Sequence, residues 1–285
     1  MKNILIPSDF SASSRNAVLY GLHLMKGRDC NFYLKGIGSC LNSADSSLSP
    51  NPEKEECIIF ATKHEAKDLE KKVKKFFPEE KFHFYALNSY ADVSLVEKQL
   101  SLIIVSNNVN NFDTVGLNKS LPKLDAPLLL IPPKGLFIPP KKVLLLLAPN
   151  IEANPAILNP LKRFYGNHNF SLEIHKISAG DLKDEISKRM ADKLFGIFDS
   201  YRPVVKFFSF NEYQRNKEAE RQQKFDVELL PVSNYNMERK LSDDSYLKSL
   251  SGLEVPLLII PGFEKNYPVN YNRSRKNRKT TFLST

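Results

Sequence analysis

Short apolar runs alternating with stretches of helical period constrain this chain more than any other feature of its sequence. In the first half the runs lie at residues 3–7, 31–37, 82–87, 102–105 and 128–131. Helical patterns separate them. Residues 12–26 form one. A longer one starts near Glu53, where Ile59, Thr62, Ala66, Leu69, Val73 and Phe76 recur at three- and four-residue steps until Pro78. That spacing makes one apolar helix face, with Lys and Glu left for the solvated side. A Ser-, Asn- and Pro-rich loop fills residues 38–52, and short helices are expected near 94–99 and before Pro122. The apolar runs are near-continuous, so the strands are expected to be buried on both faces. An alternating β-α order with such strands predicts a parallel sheet with right-handed crossovers.

The cycle then repeats. A proline-rich linker spans about residues 134–141, and a new first strand follows at 142–147. A helix interrupted by Pro155 and Pro160 is expected over 154–165, and a second strand over 170–177. Leu182, Ile186, Met190, Leu194 and Phe198 mark a long amphipathic helix. Strands follow at 204–208, 227–232 and 257–260, with a charged helical stretch at 211–222. The repeat is visible in the letters. Asp125-Ala126-Pro127-Leu128-Leu129-Leu130-Ile131-Pro132 parallels Glu254-Val255-Pro256-Leu257-Leu258-Ile259-Ile260-Pro261, an offset of 129. Val105-Ser106-Asn107 parallels Val232-Ser233-Asn234, an offset of 127. Internal duplication is the simplest source of such agreement. The units are placed at residues 1–134 and 141–263, with a tail at 264–285.

Composition narrows the class. An apolar content of 42% over 285 residues allows a full core, and no apolar run is long enough to span a bilayer. The opening residues lack a signal-peptide pattern. Cys30, Cys40 and Cys57 have no CxxC or metal-ligand spacing, and the five histidines form no HxxxH pair. The cytoplasm is the expected compartment, and no metal is expected. A redox role for Cys40, or for Cys57 near a helix start, is the weaker reading of those thiols.

The first strand ends in a candidate site. Ile4-Leu5-Ile6 stops at Pro7, and Ser8-Asp9-Phe10-Ser11 leads into Asn16-Ala17-Val18 and Tyr20 on a helix. Ser11 is the expected N-cap, because its hydroxyl can accept from a free helix N–H. In an open parallel sheet ligands sit outside the carboxyl ends of the strands, where Asp9 lies. Asp9 either binds a ligand or caps its own turn. These residues resemble the opening of the universal stress protein family, and the element order resembles its tandem form. The resemblance implies two Rossmann-like domains of the adenine nucleotide alpha hydrolase type, each a five-stranded, mostly parallel sheet with helices on both faces. It implies strand order 3-2-1-4-5 in each, a switch point between strands one and four, and pairing of the two fifth strands within one chain. A homodimer is a further arrangement the family allows.

Nucleotide-binding members follow strand four with G-x-x-G, nine residues, then G-[ST]. Glycines there let backbone N–H groups reach phosphate oxygens at a helix N-terminus. Here Ser106-Asn107-Asn108-Val109-Asn110-Asn111 stands in place of the first glycines, and Thr114-Val115 in place of the last motif. The second half has Ser233-Asn234-Tyr235-Asn236-Met237-Glu238-Arg239, without glycine, and Ala148-Pro149-Asn150 where the first half has its aspartate. The Asn loop either cradles a polar ligand or closes an ordinary turn through Asx hydrogen bonds. The candidate pocket is therefore Pro7, Ser8, Asp9, Ser11, Ile37, Ser106, Asn107, Asn108 and Asn111. No catalytic residue is expected. There is no G-x-S-x-G elbow, no G-K-[ST] phosphate loop and no G-x-G-x-x-G turn. The paired carboxylates Glu55-Glu56, Glu79-Glu80 and Asp243-Asp244 read as surface.

Two functions fit. One is a non-enzymatic, universal-stress-like protein that acts in stress adaptation through a protein partner or a small ligand, with no cofactor. The other is an adenine-nucleotide binder or slow ATPase, with ATP or AMP held near Asp9. The tail adds a third, lesser reading. Arg273, Arg275, Lys276, Arg278 and Lys279 supply five of the nine net positive charges, so the rest of the chain is near neutral. Such a cluster either solubilises the chain or tethers it to nucleic acid or an acidic membrane.

Overall fold

The computed structural model describes residues 1–37, 52–87, 92, 99–106, 126–148, 151, 153–166, 170–178, 184–209, 212–213, 225–231 and 254–262. The first half supplies β1 (Lys2–Ser8), α1 (Ala12–Leu24), β2 (Cys30–Gly36), α2 (Pro52–Phe76), β3 (Phe82–Leu87), β4 (Leu102–Ser106) and β5 (Leu128–Ile131). The second supplies β6 (Lys142–Leu147), a 3-10 turn (Pro155–Leu158), α3 (Asn159–Tyr165), β7 (Ser171–Ser178), α4 (Asp184–Ile197), β8 (Val204–Ser209), β9 (Val227–Pro231) and β10 (Leu257–Ile260). Every apolar run identified in the sequence is a strand, with ends shifted by at most a residue.

The strands form one ten-stranded sheet in the order β3-β2-β1-β4-β5-β10-β9-β6-β7-β8. The first five follow the order 3-2-1-4-5, and the last five, read inward from β8, follow the same order. All pairs within each half are parallel. The halves join through an antiparallel β5–β10 pair: Leu128 with Ile259, Leu129 with Leu258, Leu130 with Leu257. Leu129 and Leu258 are the same repeat position, and they face each other. The duplication therefore closes on a local twofold axis between those two residues. Each half covers the other's fifth-strand edge, which would otherwise be open to aggregation.

The strand interiors are dry. Ile4, Ile6, Ile103, Ile104, Leu128, Leu129, Leu145 and Leu258 are fully buried. Burying such a side chain contributes about 1.5–3 kcal/mol. Ile4, Ile6, Phe32 and Ile104 pack on one face with Ala17, Val18 and Leu22 of α1 and with Ala66 and Val73 of α2. Leu5, Ile103, Val105 and Leu130 pack on the other. At Gly21, α1 lies so close that an added Cβ would come within 2.9 Å of the Ile104 Cδ1 atom.

Three sequence expectations change here. On α2, Phe76 is exposed and Phe77, one residue past the helix, packs on the core, edge-on to His23 at 5.6 Å. On α4, Ile186 is exposed, and Leu194 and the following Phe198 carry the burial. The expected 154–165 helix is split: Asn154 caps a 3-10 turn by accepting from the Ala156 N–H at 2.8 Å, and α3 begins at Asn159. Pro160 has no N–H to continue the ladder, so the helix restarts there.

The linker is a packed strap. The Asn16 side-chain amide donates to the Gly135 carbonyl at 2.9 Å and to that of Pro132 at 3.4 Å. Phe137 stacks on Tyr165 at 6.2 Å and meets Tyr20 edge-on at 5.3 Å. Beneath it the Tyr20 and Tyr165 hydroxyls hydrogen-bond at 2.9 Å across the two halves. Burial pushes the Tyr20 phenol up to about 12 and the Tyr165 phenol well above its ordinary value.

Candidate functional site

The carboxyl ends of β1 and β4 lie side by side, so Ser8 and Ser106 end neighbouring strands on the face that carries α1. Ser8 is fully buried. Its hydroxyl accepts from the Phe10 N–H at 3.2 Å and donates to a Glu65 carboxylate oxygen on α2 at 3.2 Å. Phe10 takes a φ of 63°, the left-handed region that side chains disfavour, so the turn carries local backbone strain.

Asp9 is bound within its own turn. Its Oδ1 accepts from the Ser11 N–H at 3.0 Å and from the Ser14 hydroxyl, while the Asp9 N–H donates to Ser14 Oγ at 3.3 Å. Ser11 caps α1 as expected, accepting from the Ser14 N–H at 3.2 Å. The Ser11 and Ser13 hydroxyls hydrogen-bond at 2.8 Å. Pro7 is buried within β1. Ile37 is buried and its N–H donates to the Ser8 carbonyl at 2.9 Å, which closes the β2 exit against β1. Ser106 is only 5% exposed, and its hydroxyl has no hydrogen-bond partner among the described residues. Asn107, Asn108 and Asn111 lie outside the described residues, as do the second half's 233–239 loop, Cys40 and the basic tail.

Glu65 was hidden in the sequence among the Lys and Glu of a solvated helix face. It sits on the flank of the Thr62–Ala66–Leu69 stripe, which turns it toward the sheet. Burial raises its carboxyl above the ordinary value, and Asp9 and Asp68 add to this against the Ser8 hydrogen bond and the Arg15 charge. Its Oε1 is buried without a partner among the described residues.

Register shows what the second half has in these places. Ser8 pairs with Gly36 on β2, and Leu147 pairs with Lys176 on β7. Ser106 pairs with Ile131, and Pro231 pairs with Ile260. Leu147, Ala148 and Pro231 therefore stand where Ser8, Asp9 and Ser106 stand in the first half. The sequence match of Ser106 to Ser233 is displaced by two residues, because the strand-four offset in the sheet is 125. Lys176 replaces Gly36, and its side chain is 7% exposed. Its ammonium donates to the Ala148 carbonyl at 2.7 Å and to that of Ile151 at 3.4 Å. The chain's own cation thus holds the turn that follows β6. Its signal was present in the alternation Leu172-Ile174-Lys176, where the third inward position is charged.

Chemistry elsewhere is sparse. Cys30 is buried, and burial pushes its thiol up to about 11; Cys57 is exposed on α2. Glu80 is not idle surface, since its carboxylate accepts from the Gly27 N–H at 2.6 Å. Among the described residues no group of three or more His, Cys, Asp or Glu is placed to hold a metal ion. No helix among them is long and apolar enough to cross a membrane.

No family model matches the chain, and no curated protein matches it in sequence. Solved structures do. A universal stress protein from Archaeoglobus fulgidus DSM 4304 aligns over 92% of this chain and 96% of its own, at 11% identity and a TM-score of 0.59. The cytoplasmic domain of a prokaryotic cation chloride cotransporter aligns over 90% and 94%, at 10% identity and a TM-score of 0.47. A protein of unknown function from Pseudomonas aeruginosa PAO1 aligns over 92% of each chain, at 9% identity and a TM-score of 0.49. The first of these shows that the chain has the universal stress protein fold.

Proposed function

We propose that this is a non-enzymatic, universal-stress-like protein that acts in stress adaptation by binding a protein partner or a small ligand. The observation that carries this reading is the fate of the acidic turn. In the first half Asp9 spends its Oδ1 on its own backbone and on Ser14. In the second half the corresponding residues are apolar, and Lys176 holds the loop. Among the described residues the hydroxyls that meet a carboxylate, Ser8 on Glu65 and Ser14 on Asp9, are both buried, so neither is open to a substrate as a nucleophile must be.

Adenine-nucleotide binding is the second reading, and a specific observation favours it. The Ser106 hydroxyl and the Glu65 Oε1 are buried at the carboxyl ends of the strands without partners among the described residues. Buried polar groups are normally satisfied, so such a pair suits a ligand that would supply the missing bonds. Native mass spectrometry of the freshly purified chain separates the readings. The mass of the bare chain, or of a chain with a non-nucleotide ligand, is expected. A carried ATP or AMP would replace the first reading with the second.

A further inference from the structure

Lys2, Arg28 and Arg163 converge at the other end of the sheet, away from the crevice. Lys2 opens β1 opposite Cys30 of β2, and its N–H donates to the Asp29 carbonyl at 2.9 Å. Arg28 follows α1, and its guanidinium donates to the Arg163 carbonyl in the last turn of α3. Arg163 reaches back to the Ser101 hydroxyl at 3.4 Å, one residue ahead of β4. The cluster therefore spans the seam between the halves. No ion pair joins any of the three cations to a carboxylate among the described residues. The nearby acids are Asp29, exposed beside Arg28, Glu80, whose carboxylate accepts from the Gly27 N–H at 2.6 Å, and Asp226, whose carboxylate accepts from the Lys141 and Lys142 N–H groups at 2.7 and 2.8 Å.

A guanidinium carries five N–H donors, and the described residues engage one on Arg28 and one on Arg163. Among the described residues no hydrogen bond or ion pair engages the Lys2 ammonium. Partial burial, then Arg163 and Arg28, lower the Lys2 pKa, so the cations feel one another. Gathering like charges at a seam costs energy that a bound anion would offset. Forked guanidinium donors match the oxygens of a phosphate group, and an ammonium adds a point charge.

We infer that Lys2, Arg28 and Arg163 form a binding site for a small free phosphate-bearing anion that bridges the two halves. The test is calorimetric titration of the full chain with inorganic phosphate and with glycerol phosphate, at constant ionic strength. Saturable 1:1 binding is expected. It should weaken by about tenfold or more in Lys2→Met and in Arg163→Gln. Lys2→Met is the safer variant, because the Lys2 ammonium makes no bond that the fold needs. Asp9→Ala at the opposite end should leave phosphate affinity unchanged, so this site and the crevice fail or stand separately. Absence of saturable binding, or equal binding by Lys2→Met and the parent chain, would overturn the inference. So would retention on phosphatidic acid vesicles that free phosphate does not compete.

Discussion

Ser11, Asp9 and Glu65 decide the first turn among themselves. Ser11 satisfies one orphan N–H of α1, and Asp9 satisfies the Ser11 N–H in turn. Ser11→Ala is expected to cost about 1 kcal/mol. Urea unfolding should show it as a lower midpoint with an unchanged slope. An unmoved midpoint would mean that the Asp9 bonds alone define the helix start. Glu65 works in the opposite sense. Its folded pKa is raised by burial, so the native state holds the proton more tightly than the unfolded chain does. The associated stability is fully present below the ordinary value of 4.5 and is lost as pH rises through the raised folded value. Glu65→Gln should therefore be more stable than the parent near pH 7, with the difference shrinking below pH 4.5. Denaturant midpoints across that range check the sign, and a Gln variant that is less stable at pH 7 would show that the ionised carboxylate is needed.

At the scale of elements, the strap and the tyrosine pair tie α1 to α3. Tyr20→Phe or Tyr165→Phe leaves the other hydroxyl buried without its partner, a loss of about 1–3 kcal/mol. The double variant strands neither group, so it should cost less than the two single losses added together. A double-mutant cycle by urea unfolding measures that coupling, and strict additivity would deny the hydrogen bond a role. Elements are also where the sequence was most legible. Apolar runs bounded by proline and polar residues located the described strands, because inner strands buried on both faces are near-continuously apolar, while the edge strands β3 and β8 keep an exposed face. Helix detail was less legible for local reasons. Pro160 restarts α3, and the chain turns at the end of α2 so that Phe77, not Phe76, meets His23. The site was half legible. Ser8, Asp9 and Ser11 stand in one short motif, and Lys176 is marked only by a charge at the third inward position of its strand, whereas Glu65 reaches the strand end from a distant helix with no local signature.

The whole molecule rests on the β5–β10 pair. Repeat arithmetic placed Leu129 and Leu258 at equivalent positions, and the antiparallel register sets them opposite each other. One sheet, one shared core face and a packed strap leave no independent half. Heating is therefore expected to give a single transition by both far-ultraviolet circular dichroism and tyrosine fluorescence. Two separated transitions would mean that the halves unfold independently. The two halves differ at the ends of the sheet: the first has Ser8, Asp9 and Ser106 where the second has Leu147, Ala148 and Pro231 around Lys176. The most direct test of a crevice that binds without nucleotide chemistry is isothermal titration with Mg-ATP and with AMP, on the parent chain and on Asp9→Ala. No nucleotide binding that Asp9→Ala removes is the expected result. Binding tighter than about 100 μM, roughly 5.5 kcal/mol, that Asp9→Ala abolishes would contradict it and make the chain a nucleotide sensor.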